Sequence, residues 1–539
     1  MATTQKRLNQ QNSFLSKYLT YSNCLILIFF IISIIGILNH EMWRDETQAW
    51  LIARDASTLT DLYENLKYEG HPGLWHFCLF LIAKFTHNPF AMQFFHILIS
   101  TAVVGVFVKL SPFNILQKTL FTFSYFPLFE YNIISRNYNL GLLLIFLFCY
   151  LFTRKNRNFI SLFLVLALLA NTNVYCLIIC FCFSATLIID TIRKHKSKLN
   201  QYKLSRKQIK NLIIGLIIIL LGIGISVFQL LPVAIQDTAN DIQQNIGQEA
   251  ATSKFDLLSL LSTLFKRFTY SLRTIWYSYI PIPKFWEYHF WTKNITNDSL
   301  ILTFFAFIMS SFLLFYSIII FIDKPIVLLL YLSGTGGIIL FTWLKYQGAL
   351  RHHGNLFIIF IACIWISRLV RKSYEIPKFL QKITYKFKKY QKKAITFILL
   401  IQALCGLYAY SMDLVFPFSK SEVASQFIQE QGLAGEFLLG SRDTIISPIS
   451  AFLDKEIYYI EYERLGSFFN NHQRKYIKSQ SELVDKIDAA IKNNSTKNVL
   501  ILSFPLNNED SQLKFTKLNE FKQAIVAEEQ YHIYLVEKK

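Results

Sequence analysis

The chain has 539 residues, of which 53% are hydrophobic and only 17% are charged. Soluble globular domains contain about 25% charged residues, so this composition excludes an ordinary soluble enzyme and indicates many membrane spans. The formal net charge of +20 would suit nucleic-acid binding. However, the basic residues lie in short segments between apolar runs and form no recognition motif, so nucleic acid is not an expected partner.

Apolar runs recur from residue 21 to residue 411 and predict a polytopic α-helical membrane protein. No small-residue cleavage site follows the first run, so we expect it to be retained as a span. We predict about eleven spans, at residues 21–39, 91–109, 116–133, 139–153, 159–171, 174–191, 211–233, 300–322, 325–344, 355–369 and 394–411.

The basic loops predict the orientation of these spans, because Lys and Arg concentrate in short cytoplasmic loops. Lys6, Arg7 and Lys17 place the N-terminus in the cytoplasm. All basic clusters fall on that side only if the apolar segment 72–85 does not cross. We therefore expect this segment to be a re-entrant or surface-lying helix. The predicted outer segments are 40–90, 134–139 with 171–174, 234–299, 345–354 and the tail from residue 412.

The tail has a different composition from the rest of the chain. From Asp413 onward it contains 18 acidic and 15 basic residues, about −3, which leaves about +23 on the membrane part. We predict a membrane domain at 1–411 and a small extracytoplasmic α/β domain at 412–539. The predicted elements of the tail are helices at 421–431 and 481–493, strands at 457–460 and 499–504, and a hairpin at 525–536.

The first outer segment, 40–90, concentrates acidic residues in a chain that has few of them. A helix over 42–56 would place Glu46 on a face with Trp43 and Trp50, and Asp45 beside that face. A carboxylate among buried aromatic rings has a raised pKa, which is one way to make a general base. The alternative is a helix that lies at the membrane interface without a catalytic role.

Trp43-Arg44-Asp45-Glu46, followed by Glu69-Gly70-His71-Pro72, resembles motifs of the GT-C glycosyltransferases. The resemblance is to bacterial members such as the protein O-mannosyltransferases and the lipid A aminoarabinose transferase. In this chain His71-Pro72-Gly73-Leu74-Trp75-His76 replaces the second Pro and the Tyr pair of the family's His-Pro-Pro-Leu-Tyr-Tyr-like segment. Ser135-Arg136-Asn137-Tyr138 continues the pattern, which covers about the first 150 residues.

The resemblance implies a reaction and a set of site residues. Such enzymes transfer one sugar, a hexose or a pentose, from a polyprenyl-phosphate carrier to an acceptor hydroxyl outside the bacterial inner membrane. Asp45 matches the acidic residue that takes the hydroxyl proton, with Glu46 as helper or substrate ligand, and Glu69 and His71 as substrate-binding residues. The places that match the family's phosphate-binding cations are Arg136, Lys345, Arg351, His352 and His353. The acceptor could be a glycan, a lipid or a protein.

Phosphate chemistry independently supports a role for the segment at 351–353. The leaving lipid phosphate needs fixed cations, and Arg351, His352 and His353 lie at the outer end of a span, against the positive-inside tendency. The alternative is that Arg351 extends to lipid headgroups and the histidines are interfacial. Glu69, His71 and His352 could hold a divalent metal, but no diagnostic ligand spacing requires a metal cofactor.

A transporter or flippase of a lipid-linked sugar is the main competing function. It predicts charged residues in mid-span and two matching halves. The predicted spans contain few charges and no repeat; Glu130 is the obvious exception. A scaffold whose exported tail binds a partner is a third possibility, but it leaves the acidic outer segment without a role.

Overall fold

The computed structural model describes residues 20–196, 205–249, 257–371, 376–470, 475, 477–492, 497–506 and 512–539. The basic residues Lys6, Arg7 and Lys17 lie outside this described part, as does 197–204 of the basic loop that begins at Arg193. Within it, the chain is a helical integral membrane protein with a C-terminal mixed β-sheet.

Seven of the described helices are long and apolar enough to cross a membrane, counted by length and composition. They are α5 (Phe90–Leu110), α9 (Val174–Lys196), α10 (Arg206–Glu249), α12 (Leu300–Phe321), α13 (Pro325–Leu344), α14 (Leu350–Leu369) and α15 (Lys378–Val415). The other helices of the same region are α1 (Tyr21–Ile37), α2 (Arg44–Arg54), α3 (Leu59–Leu66), α4 (Leu74–Ala83), α6 (Ile115–Thr122), α7 (Tyr138–Thr153), α8 (Phe159–Ala170) and α11 (Leu257–Tyr279).

Side-chain caps define several helix starts. Thr20 accepts a hydrogen bond from the backbone N–H of Asn23, and Asn158 and Ser299 cap α8 and α12 in the same way. Helix α4 lies within the segment 72–85 and has 10 residues. It is therefore about 15 Å long, half of the roughly 30 Å hydrocarbon thickness.

The structure differs from the predicted continuous span at 116–133. Helix α6 ends at Thr122, and a π-helical turn at Phe126–Glu130 follows it. Pro127 has no N–H to donate to an α-helical ladder, which explains why the helix does not continue. Residues 131–137 then run without helical structure, and π-turns of this kind are frequent at functional sites.

This irregular segment is held by side chains of neighbouring helices. His96 on α5 places Nδ1 and Nε2 each 3.0 Å from the carbonyl oxygens of Asn132 and Arg136. Asn132 donates to Ser33 Oγ on α1 at 2.9 Å. Irregular backbone at membrane depth is tolerated where protein groups satisfy it, and here that arrangement positions Arg136.

Two further elements differ from the sequence-based expectation for the outer segment 234–299. Helix α10 continues to Glu249, and α11 occupies Leu257–Tyr279 and packs against α12, α13 and α14. Helix α14 is almost completely buried among α7, α9, α11 and α13. Because Arg351 is its second residue, this side chain is anchored on one of the most buried helices of the described chain.

The C-terminal region forms a six-stranded sheet in the order β3-β2-β1-β4-β6-β5. Strand β1 is parallel to β2 and β4, and the other pairs are antiparallel. The strands are β1 (Phe437–Ser441), β2 (Ile457–Tyr459), β3 (Arg464–Gly466), β4 (Asn498–Leu502), β5 (Leu513–Phe521) and β6 (Tyr531–Lys538). Helices α16 (Ser421–Glu430) and α17 (Asp443–Leu453) cover one face, and α18 (Gln480–Ile491) covers the other.

The predicted hairpin at 525–536 is wrong. Residues 522–530 connect β5 to β6, so the hairpin pairs Leu513–Phe521 with Tyr531–Lys538. Val526 and Ile525 are buried, but their backbone N–H groups bond to Phe418 and Pro417 instead of to a strand. The apolar residues Ile525 and Val526 thus pack where the sheet region meets the segment that follows α15, and they do not form a strand.

The sheet region rests on the first outer segment. Gln48 of α2 exchanges two hydrogen bonds with the backbone of Phe469, at 2.9 and 3.1 Å. The backbone N–H of Arg44 donates to Glu529 Oε1 at 3.0 Å. Helix α2 is therefore enclosed between the membrane helices and the sheet.

Candidate active site

Asp45 is the second residue of α2 and meets two arginines from distant parts of the chain. Arg136 Nη1 lies 2.9 Å and Arg351 Nη2 3.3 Å from Asp45 Oδ2. Arg136 Nη1 also donates to the Asp45 carbonyl oxygen at 2.8 Å. The Asp45 side chain keeps 22% of its surface exposed. The structure therefore places three of the residues selected from the sequence in one accessible cluster.

The pKa of Asp45 is determined mainly by its arginine neighbours. Burial favours the neutral carboxyl, but Arg136, Arg351 and Arg44 outweigh it and lower the pKa of Asp45 below its ordinary value. The sequence pattern showed the aromatic neighbours of the first outer segment and did not show these cations. Asp45 is consequently a carboxylate, held by charge pairing.

Arg351 lies between two indole rings. Its guanidinium carbon is 5.2 Å from the ring centroid of Trp43 and 5.5 Å from that of Trp291. Trp291 donates to Glu130 Oε2 at 3.0 Å. Among the described residues, Arg351 Nε is buried and has no hydrogen-bond partner. The two indole rings contact the guanidinium group of Arg351 through cation–π interactions, which do not use its N–H groups. These N–H groups can therefore bind an anion.

Glu46 has a different environment from its neighbour Asp45. It is completely buried and accepts hydrogen bonds from the backbone N–H groups of Ser135 at 2.5 Å and Trp43 at 3.2 Å. Its Oε2 also lies 3.0 Å from His40 Nε2. Glu46 thus joins the start of α2 to the irregular segment that carries Arg136, which makes it a positioning residue.

His40 and Asp413 extend this network, and no sequence pattern had selected either residue. His40 Nδ1 lies 2.9 Å from Asp413 Oδ2, although the two residues are 373 positions apart. Burial alone lowers the pKa of His40, but Asp413 and Glu46 outweigh it and raise the pKa to about 10. A protonated imidazole between two carboxylates therefore links α1, α2 and α15.

This shift predicts how thermal stability depends on pH. The folded-state pKa of His40 lies above the ordinary value of 6.5, so its contribution is full below pH 6.5 and is lost as the pH rises through about 10. We expect the unfolding temperature of the purified chain to fall across that window. In His40→Gln the unfolding temperature below pH 6.5 should be lower than in the wild type. It should also fall less steeply with pH across the window, because the contribution of His40 is absent. An unchanged slope in the variant would contradict a protonated His40.

Glu69 and His71 complete the cluster around Asp45. Glu69 Oε1 accepts from Gln48 Nε2 at 2.8 Å. Burial raises the pKa of Glu69 to about 7, against the opposing effects of Gln48 and Arg136. Burial and the nearby Arg136 lower the pKa of His71 to about 4, so its ring is neutral at pH 7. Its buried Nδ1 has no partner within the described chain.

The remaining predicted cations have other contacts. His352 Nδ1 accepts from the backbone N–H of Ala349 at 2.8 Å, and His353 Nε2 lies 2.8 Å from the Gln347 carbonyl. Both histidines thereby hold the turn before α14, where Gly348 has a φ of +71°. Lys345 is exposed at the end of α13. Of the predicted segment 345–353, Arg351 is the residue that reaches Asp45.

The described residues contain no group of three His, Cys, Asp or Glu side chains close enough to hold a metal ion. The alternative set of Glu69, His71 and His352 is therefore not assembled as a ligand cluster in this structure. The polar groups around Asp45 are instead arranged as ion pairs and hydrogen bonds. The guanidinium groups of Arg136 and Arg351 suit an anionic ligand whose oxygen atoms accept hydrogen bonds.

No protein-family model and no curated protein matches the sequence. Among solved structures, the fold is similar to that of ArnT from Cupriavidus metallidurans bound to undecaprenyl phosphate, at a TM-score of 0.43 and 10% sequence identity. The alignment covers 94% of this chain and 97% of that chain.

Proposed function

We propose that this chain is a glycosyltransferase that moves one sugar from a polyprenyl-phosphate donor to an acceptor hydroxyl on the non-cytoplasmic face of the membrane. The observation that carries the proposal is the pairing of Asp45 with Arg136 and Arg351 beside the membrane helices. The motif resemblance in the first outer segment supports the same reaction class. The distribution of basic residues predicts that this segment and the sheet region lie outside and that the N-terminus lies in the cytoplasm.

The two arginines are suited to the donor phosphate. Arg136 and Arg351 are largely buried, with 12% and 15% of their side-chain surface exposed. Arg351 Nε has no protein partner among the described residues. A polyprenyl phosphate has a long apolar tail and an anionic head. The tail would lie in the bilayer, and the phosphate would bind beside Arg136 and Arg351. Preorganised cations stabilise the negative charge that develops on the leaving phosphate.

In the proposed step, the acceptor oxygen attacks the anomeric carbon and forms the new glycosidic bond. The bond from that carbon to the phosphate oxygen breaks, and its electron pair remains on the polyprenyl phosphate. The hydroxyl proton passes to Asp45. Arg136 and Arg351 both contact Oδ2, and Oδ1 makes no hydrogen bond to the described residues. A donor phosphate on the same arginines would offset their charge and raise the basicity of Asp45.

Glu69 predicts a pH dependence of donor binding. Its pKa of about 7 means that it gains negative charge as the pH rises through that value, close to Arg136. Because the donor is also an anion, we expect the KM for donor to rise as the pH increases through about 7. Glu69→Gln removes this titration and should give a KM that changes little across the window. Glu64→Gln, at an exposed position, is the control. A wild-type pH profile in Glu69→Gln would show that Glu69 does not cause the pH dependence of the KM.

The proposal is tested with the purified full chain in proteoliposomes that contain undecaprenyl-phosphate-linked hexose or pentose. Membrane lipid, glycan and protein fractions from a deletion strain serve as acceptors, because they accumulate unmodified sites. The expected result is release of undecaprenyl phosphate together with labelled product in one fraction. Movement of the donor across the bilayer without a new glycosidic bond would instead support a flippase.

A further inference from the structure

A cavity of about 560 Å³ lies in the sheet region at the carboxyl ends of its parallel strands. Its wall includes Ser441 at the end of β1, Asp443 shortly after that strand, Glu461 after β2 and Phe504 after β4. Its volume falls within the range of about 300–1,000 Å³ that is typical of ligand sites. Arg44 of the first outer segment closes one side and forms a 2.6 Å ion pair with Glu528.

The position of this cavity follows from the topology of the sheet. The crossover from β1 to β2 passes through α17 on one face, and β4 is reached through α18 on the other face. The strand order therefore reverses between β1 and β4. In open α/β sheets, ligands bind outside the carboxyl ends of the strands at such a switch point.

Two polar side chains in the wall have unused hydrogen-bonding atoms. Glu461 is only 5% exposed; its Oε1 accepts from Ser441 Oγ at 2.8 Å and from the backbone N–H of Arg442 at 2.6 Å. Within the described chain, its buried Oε2 has no hydrogen-bond partner, and neither does Nε2 of Gln480 at the start of α18. Buried polar atoms are normally paired, so one unused acceptor and one unused donor at a cavity indicate a missing ligand.

The chemistry of these groups selects a hydroxyl-rich ligand. A phosphate would find cations in Arg44, Arg442 and Lys478, but the carboxyl groups of Asp443, Glu461 and Glu528 line the same cavity. An ionised carboxylate can only accept hydrogen bonds, so it cannot pair with a phosphate oxygen. Sugar hydroxyls both donate and accept, so they satisfy Glu461 and Gln480 together. Phe504 adds an apolar ring to the same wall.

We propose that this cavity binds a carbohydrate, and that this carbohydrate is part of the acceptor. The second statement rests on the proposed function. It follows from Arg44, which lines the cavity and directly precedes Asp45 in α2. A sugar held by Glu461 and Gln480 therefore lies on the side of the sheet that faces the candidate active site. The acceptor class becomes a glycan or glycolipid.

Binding is tested without any donor by saturation-transfer NMR on the detergent-solubilised full chain. The probes are D-glucose, D-galactose, D-mannose, L-arabinose and inorganic phosphate. We expect at least one sugar to saturate with a millimolar Kd, and Glu461→Gln to weaken it at least tenfold. That variant keeps the contacts of Oε1 and turns the free acceptor into a donor. Gln480→Ala should weaken the same sugar.

Two control variants separate this proposal from the proposed function. Glu520→Gln, on the edge strand β5, should bind sugar like the wild type. Asp45→Asn should also keep sugar binding even where it stops transfer, so a failed transfer assay leaves this result standing. Saturation by none of the four sugars, equal affinity in Glu461→Gln, or competition by phosphate would overturn the carbohydrate assignment.

Discussion

Asp45→Asn is expected to reduce the rate constant of sugar transfer by about 10²- to 10⁴-fold, the usual contribution of a general base. Asparagine preserves the size of the side chain but cannot take the acceptor proton. The loss should appear in kcat. Because the substitution also removes a negative charge beside Arg136 and Arg351, the KM for the anionic donor should stay the same or decrease.

The matched control for Asp45→Asn is Glu64→Gln in the same outer segment. Glu64 is exposed and pairs with Lys67 at 3.5 Å, so the Glu64→Gln variant should transfer sugar at the wild-type rate. Glu46→Gln supplies a second comparison, since Glu46 is buried and binds the backbone of Ser135. It should lower the unfolding temperature along with activity, whereas Asp45→Asn should change activity alone. Wild-type kcat in Asp45→Asn would remove this residue from the chemistry.

Arg351→Ala is expected to reduce kcat/KM for the donor by about 10²- to 10³-fold, the range found when one stabilising group of a developing anion is removed. It deletes a cation that lies between Trp43 and Trp291 and contacts Asp45. Arg351→Lys should recover only part of the loss, because an ammonium group cannot bind a phosphate with two parallel N–H groups. Donor titration of both variants measures the effect.

Lys293→Ala is the control for Arg351→Ala. Lys293 lies two residues from Trp291 and is 44% exposed, and it pairs with Glu287 on the surface. If loss of any nearby cation weakened the donor, Lys293→Ala would show the same effect. Equal donor affinity in Arg351→Ala and wild type would leave the phosphate site without its main residue.

The sequence predicted a polytopic helical membrane protein because hydropathy is a local property. It predicted about eleven spans, whereas seven of the described helices are long and apolar enough to cross a membrane. It could not show that the run at 116–133 is broken, since Pro127 alone does not reveal a π-helical turn that His96 and Asn132 support. It also missed helix α11, Leu257–Tyr279, whose apolar residues alternate with Lys266, Arg267 and Arg273 and therefore form no continuous run.

The candidate site was predicted in part. The acidic outer segment and its motif resemblance selected Asp45, and the charges that orientation did not explain selected Arg351. The direction of the Asp45 pKa depends on Arg136, 91 residues away, and on Arg351, 306 residues away. The pairing of His40 with Asp413 likewise requires the end of α15 to return to the start of α2. Such contacts leave no local sequence pattern.

A single-turnover experiment with purified protein, preloaded with labelled polyprenyl-phosphate sugar, tests the proposed mechanism most directly. Donor binding and transfer are measured in the same samples of wild type, Asp45→Asn and Arg351→Ala. We expect Asp45→Asn to stay loaded with donor but to transfer at least 10²-fold more slowly, and Arg351→Ala to bind little donor. Transfer by loaded Asp45→Asn at the wild-type rate would contradict a role for Asp45 as the base.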